Sequence, residues 1–148
     1  MGFAVPSRSD QRERPARFQL IVPTDLGQVG AAVDAVLESC TACSEVSGAM
    51  RFRLCTVVAE AVANAIAYGN RNDPSRHVMI EVDCRPDEVL IGVTDQGDGF
   101  DPAAVPDPLG PECQDATCGR GLFMIRHLTS QVVFNARGNT IWMTLPRR

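Results

Sequence analysis

The sequence predicts an α+β fold, a two-layer α/β sandwich in which a mostly antiparallel sheet carries helices on one face. One observation is that apolar residues recur at every third or fourth position along residues 54–70, which is the period of one helix face. Another is that strand-like runs occur in adjacent pairs joined by short polar turns, as in antiparallel hairpins. Hairpins and amphipathic helices together form such a sandwich.

The elements are expected in the order β-α-α-β-β-loop-α-β-β. Strands are predicted at 17–22, 78–82, 89–93, 131–134 and 140–145, where short apolar runs end in turn residues. A first helix begins after Thr24 or Asp25 and carries Cys40 and Cys43 near its end. The central helix follows, stopping at Gly69, and a third helix reaches about Thr129. The domain is predicted to span 17–148, after a flexible tail at 1–16.

Composition excludes several classes of partner. The chain has 148 residues, a net charge of −4 and no basic stretch, so direct binding of nucleic acid is not expected. No run approaches the roughly 18 apolar residues of a membrane span, and no signal peptide is evident at the N-terminus. A cytoplasmic protein is therefore expected, with its six cysteines mostly reduced.

Two polar residues on the central helix are the first candidates for a site. Glu60 and Asn64 are four residues apart, so they stack in one row beside the apolar stripe. Burying them unpaired would cost roughly 1–3 kcal/mol each, so they face either a polar site or solvent. The alternative is a capped core helix whose Glu60 and Asn64 point to water.

Two glycine motifs follow. Asp95-x-Gly97-x-Gly99 lies at the end of a strand, where glycines let the backbone approach a ligand and the carboxylate can accept from a buried donor. Gly119-x-Gly121 opens a helix, and the N–H groups at a helix start suit phosphate. Each motif alone also fits an ordinary glycine-rich turn. Between them, the proline-rich segment 101–118 is predicted to be a long loop.

In this order, the motifs resemble the Bergerat-fold (GHKL) ATP-binding domains, which include gyrase, histidine kinases and MutL. The motifs are Glu60-x3-Asn64, Asp95-x-Gly-x-Gly-Phe, a proline-rich loop and Gly119-Arg-Gly-Leu. The short chain and the Val-Ala-Glu60-Ala-Val-Ala-Asn64-Ala helix look like the bacterial anti-sigma factor serine kinases. The resemblance covers about Phe18 to Leu145 and implies ATP and Mg²⁺ as ligands.

The resemblance also implies roles for residues of the central helix and the first glycine motif. Asn64 would coordinate Mg²⁺, for which an amide oxygen is a suitable hard ligand. Glu60 would be the general base that takes the proton of a substrate serine. Asp95 would bind the adenine amine, with Gly97 and Gly99 forming the floor of that site.

Further roles fall on the third helix and the last strand. Segment 101–118 corresponds to a lid over ATP. Gly119, Arg120, Gly121 and Leu122 would hold phosphate at the start of the helix, where the Arg120 guanidinium would add charge. A threonine that supports the adenine site corresponds to Thr140 in one alignment, whereas another alignment places Asn139 there.

The function that the resemblance implies is both catalytic and regulatory. The protein would bind a sigma factor and use ATP to phosphorylate a serine of a STAS-domain antagonist, and it could form a homodimer. The alternative is a nucleotide-gated binding module that transfers no phosphate. A histidine-kinase-like catalytic domain would usually need a dimerisation helix with a phosphoacceptor histidine, and none is evident before Phe18.

Two features depart from or add to the family pattern. Tyr68 stands where many members have histidine after the asparagine, so packing is the safer interpretation of that residue. Cys40-x-x-Cys43 and Cys113-x4-Cys118 could be zinc half-sites or redox pairs, although the second spacing is loose for zinc. Cys55 and Cys84 are interpreted as ordinary small buried residues.

Overall fold

A computed structural model describes residues 16–101 and 120–148 of the chain. Within these ranges, five antiparallel strands form one sheet in the order β1-β2-β3-β5-β4. Every neighbouring pair is antiparallel. The strands are β1 (Ala16–Pro23), β2 (His77–Cys84), β3 (Glu88–Thr94), β4 (Gln131–Phe134) and β5 (Thr140–Pro146). Residues 1–15 of the predicted tail, residues 102–118 of the predicted loop and Gly119 lie outside the described residues.

Three α-helices pack beside this sheet in the part of the chain that is described. They are α1 (Val29–Cys43), α2 (Gly48–Asn64) and α3 (Arg120–Leu128). The central helix α2 contacts α1 on one side and α3 on the other. The predicted α+β sandwich and its element order are therefore confirmed.

The core lies between the helices and the sheet. Alternate residues of β2 are buried, as expected for a strand that presents one face to a core. The apolar stripe of α2 covers that face, as its spacing predicts. The stripe residues that are buried are Leu54, Val57, Val58, Ala61 and Val62.

The central helix begins before the first residue of its apolar period, and its end is not a regular α-helical turn. Ser47 caps its start, since the Ser47 hydroxyl accepts a hydrogen bond from the backbone N–H of Met50 at 3.1 Å. After Asn64 the chain continues as a π-helical turn at Ala65–Gly69. The helical backbone ends at Gly69, as the sequence predicts, although Gly69 is absent from the residues with positive φ. Its role comes from the site described below.

Asn70 connects four segments at the end of this turn. Its side chain is fully buried. The amide donates to the hydroxyl of Thr24 and to the carbonyl of His77, both at 3.0 Å, and accepts from the backbone N–H of Gln96 at 2.7 Å. Because every group of this buried amide is paired, Asn70 holds the end of the π-helical turn against the segment before α1, the start of β2 and the segment after β3.

No helix in the described ranges combines the length and the hydropathy needed to cross a bilayer.

Candidate functional site

A cavity of about 540 Å³ opens between α2, α3 and the ends of β3 and β5. Its walls are mainly apolar, with a few polar groups that converge on it, as is usual for a small-molecule site. The polar and glycine positions that line it come from four separate parts of the chain. They are Asn64, Gly69, Arg71, Asp95, Asp98, Gly99, Gly121, Gly138 and Asn139.

Glu60 and Asn64 meet the start of α3 at Gly121. A Cβ atom on Gly121 would lie 2.7 Å from Oε2 of Glu60 and 3.0 Å from Nδ2 of Asn64. A side chain on Gly121 would therefore displace the ends of these two side chains. Asn64 and Gly121 line the cavity directly, whereas Glu60 lies beside Gly121 at its margin.

Asp95 lies in the wall of the same cavity, one residue after β3. Its Oδ1 accepts the backbone N–H of Gly97 at 2.8 Å. Burial raises the pKa of Asp95, and the Gly97 hydrogen bond and the charges of Arg76 and Arg137 oppose that rise. An ionised carboxylate can accept about four hydrogen bonds, so Asp95 keeps acceptor capacity for a ligand donor.

Gly69 explains the shape of the turn after α2. A Cβ atom on Gly69 would overlap the carboxylate of Asp95, and one on Gly97 would overlap the Gly69 carbonyl. The backbone of the π-helical turn thus packs directly against the loop that contains Asp95. π-Turns inside helices are frequent at functional sites. The sequence predicted only that Gly69 ends the helix, because a close contact with a residue 26 positions away leaves no pattern in the local sequence.

Two glycines with positive φ lie where two segments of the chain cross at the floor of the cavity. Gly99 has a φ of 85° and Gly138 a φ of 77°. A side chain on Gly99 would overlap the carbonyl of Arg137, and one on Gly138 would overlap the carbonyl of Phe100. Glycine is required here both by conformation and by space. Gly138 was placed in a turn from the sequence, and its place in the cavity was missed.

Of the two neighbouring residues Asn139 and Thr140 at the start of β5, one lines the cavity. Asn139 lines it, and the Asn139 amide donates to the Asp95 carbonyl at 3.1 Å. Thr140 is buried, and its hydroxyl lies 2.9 Å from the hydroxyl of Thr94. Asn139 thus contacts the backbone of Asp95 directly, while Thr140 joins the strand that leads to it.

The remaining predicted residues of the third helix are partly accounted for. Leu122 lines the cavity, and Arg120 is exposed at the first position of α3. Tyr68 also borders the cavity with 65% of its side chain exposed, so it is not a packing residue as the sequence suggested. No group of three or more histidine, cysteine or acidic side chains in the described ranges is placed to hold a metal ion.

The chemical groups that line the cavity suit a nucleotide. It offers a half-buried carboxylate for a donor, apolar walls for a ring, and an amide oxygen beside the N-terminal turn of a helix. Helix starts favour phosphate, and an amide oxygen can be one ligand of a Mg²⁺ ion that is otherwise held by phosphates and water.

Comparison with known proteins agrees with this geometry. Two similar proteins are the anti-sigma F factor of Oceanobacillus iheyensis, 35% identical over 96 residues, and the serine-protein kinase RsbW of Staphylococcus aureus, 34% identical over 96 residues. These matches cover 60% and 59% of this chain. The chain spans 64% and 60% of those two proteins, a little under two thirds. The expected similarity to anti-sigma factor serine kinases is confirmed by these relatives.

A family model described as a histidine kinase-like ATPase domain matches residues 22–145, which include every element from the end of β1 to β5. The predicted GHKL fold is thereby confirmed, and the chain belongs to the histidine kinase-like ATPase domain family.

Proposed function

We propose that this protein is an ATP-dependent serine/threonine protein kinase that also acts as an anti-sigma regulator. The observation that carries the proposal is the meeting of Glu60, Asn64 and Gly121 at the cavity that also contains Asp95. A nucleotide held by its base at Asp95 would extend its phosphates toward the start of α3. There the general base and the Mg²⁺ ligand would lie side by side.

Recognition of adenine rests on Asp95. Its carboxylate would accept the exocyclic amine, while the Gly97 N–H and the Asn139 amide hold the loop in place. The crossing of Gly99 and Gly138 brings backbone rather than side chains to the floor. Thr140 would support this site through its bond to Thr94.

Phosphate binding rests on Asn64 and the first turn of α3. Asn64 would supply one oxygen to Mg²⁺, which neutralises phosphate charge when bound. Gly121 and Leu122 would present backbone N–H groups, and exposed Arg120 would add a positive charge. Gly119, outside the described residues, is proposed for the same role.

Transfer to a protein requires a proton acceptor, and Glu60 is the candidate. It lies at the margin of the cavity, where a substrate hydroxyl could approach from outside. Its carboxylate would take the serine proton as the γ-phosphoryl leaves ATP.

The partners are proposed from the names of the relatives. An anti-sigma F factor and an RsbW serine kinase are among the similar proteins. We propose accordingly a sigma factor as binding partner, a STAS-domain antagonist as substrate, a cytoplasmic location and a homodimer. A phosphate on the antagonist would add about two negative charges to its interface with this protein, and the antagonist would be released.

The test is phosphoryl transfer with a matched pair of carboxylate variants. The protein, γ-labelled ATP and Mg²⁺ would be mixed with STAS-domain proteins of the same organism. Glu60→Gln keeps the shape beside Gly121 and should lose transfer while it retains ATP binding. Glu38→Gln, on the exposed face of α1, should keep both.

Other outcomes distinguish the alternatives. Normal transfer by Glu60→Gln would remove Glu60 as base. If no STAS protein is labelled while ATP binding is intact and depends on Asp95, the protein is a nucleotide-gated binding module.

A further inference from the structure

Three cysteines meet at the end of the sheet opposite the cavity. Cys40 and Cys43 lie on the last turn of α1, and Cys84 is the last residue of β2. The sulfur atoms of Cys40 and Cys84 are 3.7 Å apart, although the residues are 44 positions apart in sequence. The sequence paired Cys40 with Cys43 and treated Cys84 as an ordinary core residue. The fold instead makes Cys84 the centre of the cluster.

A cation lies near these thiols, since Arg147 is hydrogen-bonded to the residue that follows Cys84. The Arg147 Nε donates to the Arg85 carbonyl at 2.8 Å, and its buried Nη1 has no hydrogen-bond partner among the described residues. The contact between Cys40 and Cys84 has the largest effect on the pKa of those two thiols, and desolvation has the largest effect on the pKa of Cys43. The positive charge of Arg147 acts more weakly, to lower the pKa of each of the three. Cationic surroundings favour the thiolate, which is the reactive form of cysteine.

The three thiols differ in their state and access. A hydrogen bond from Cys84 lowers the pKa of Cys40, and the same contact raises the pKa of Cys84. Partial desolvation of its sulfur raises the pKa of Cys43, and the neighbouring Cys84 adds to that rise, while the Cys43 thiol donates to the Ser39 carbonyl at 3.1 Å. Cys40 and Cys84 are buried, whereas Cys43 is exposed. An oxidant from solvent therefore reaches Cys43 first.

We propose that Cys40, Cys43 and Cys84 form a thiol oxidation site, in which a peroxide converts the Cys40–Cys84 pair to a disulfide through Cys43. The Cys43 sulfur attacks a peroxide oxygen, which gives a sulfenic acid and one water. The Cys84 thiol displaces the hydroxyl as a second water, forming a Cys43–Cys84 disulfide. The Cys40 thiolate then attacks the Cys84 sulfur and releases Cys43, which takes up the proton that Cys40 lost. Two thiols are oxidised and one peroxide is reduced to two waters.

The geometry permits the final bond. A disulfide needs the sulfurs at about 2.05 Å, so they must approach by roughly 1.6 Å, which side-chain rotation can supply. The bond would fasten the end of α1 to β2. This site lies at the Cys84, Val89 and Leu145 end of the paired strands, away from Thr94 and Thr140 beside the cavity.

The test uses a variant in which Cys55, Cys113 and Cys118 are replaced by serine, leaving the three clustered thiols. Treatment of this folded protein with hydrogen peroxide, then alkylation in denaturant, should leave one free thiol instead of three. Mass spectrometry of a tryptic digest should find peptide 18–51 linked to the peptide that contains Cys84. The oxidised protein should unfold at a higher temperature, by on the order of 5–10 °C. Three free thiols after treatment would overturn the proposal.

Further substitutions test the order of events. Adding Cys43→Ser should slow the linkage at least several-fold but still give the Cys40–Cys84 bond. An unchanged rate would exclude Cys43 as the first thiol oxidised. Fragmentation of the linked peptides from the protein that keeps all three thiols should place the bond at Cys40, and a bond at Cys43 would make Cys43 and Cys84 the final pair. Arg147→Gln should slow the reaction several-fold, whereas Arg148→Gln, at the exposed neighbouring residue, should leave the rate unchanged. Equal rates for the two arginine variants would remove Arg147 from the site.

Discussion

At the scale of single residues, Asp95 combines its proposed role in ATP binding with a cost in stability. Because burial raises its pKa in the folded protein, Asp95 binds its proton more tightly when folded than when unfolded. The favourable contribution of Asp95 to the free energy of unfolding is thus present below its pKa in the unfolded chain, about 3.9. That contribution is lost as pH rises through the pKa of Asp95 in the folded protein. At neutral pH the ionised carboxylate opposes folding.

Asp95→Asn is therefore expected to raise the melting temperature at pH 7 and to weaken ATP binding by roughly 10–100-fold, the loss of one charged hydrogen bond. The stability advantage should shrink as pH is lowered toward about 4. Thermal melts at several pH values and a nucleotide titration would measure both effects. A clearly lower melting temperature at pH 7 would contradict the argument.

Gly69 and Gly30 form a matched pair of glycines. A Cβ atom on Gly69 would overlap Asp95, whereas one on Gly30, in α1, would meet nothing within 4 Å. Gly69→Ala should abolish most ATP binding and destabilise the fold by about 1–3 kcal/mol. Gly30→Ala should leave binding intact and stabilise the fold by about 0.5–1 kcal/mol. Equal ATP affinity in the two variants would exclude the close approach of Gly69 to Asp95.

At the scale of elements, the helix α2 depends on its cap. Ser47→Ala removes the hydrogen bond to the Met50 N–H. The expected cost is about 1 kcal/mol, or roughly 2–4 °C in melting temperature for a chain of this size. Because Glu60 and Asn64 lie at the other end of α2, ATP affinity should not change. Ser44→Ala, at the exposed end of α1, is the control, and an equal effect of the two changes would remove the capping interpretation.

The third helix illustrates how one element completes a site. The helix α3 is short, and its buried residue Ile125 also lines the cavity. Its first turn supplies Gly121 against Glu60 and Asn64. The site therefore depends on the packing of α3 against α2, and not on either helix alone.

At the scale of the whole molecule, Asn70 joins parts of the chain that are distant in sequence. Asn70→Ala leaves the Gln96 N–H and the His77 carbonyl without their buried partner. The expected loss is about 3 kcal/mol, or a fall of roughly 6–12 °C in melting temperature. ATP affinity should also fall, because Gln96 follows Asp95. Gln28→Ala, at an exposed position before α1, should change neither quantity, and an equally stable Asn70→Ala would refute the linking role.

The amino-acid sequence by itself determined the fold class, the order of elements and the family. These follow from periods of apolar residues and from motifs such as Glu60-x3-Asn64, which are visible within a few turns of chain. Glu60, Asn64, Asp95 and Gly121 of the candidate site were predicted for the same reason.

Only the tertiary structure decided which distant residues touch. It brought Gly69 against Asp95, Gly121 against Glu60, and Cys84 against Cys40. It also chose Asn139 rather than Thr140 for the cavity wall. Such contacts depend on strand register and helix packing, which are set by the burial of the whole core and leave no periodic signal in the local sequence.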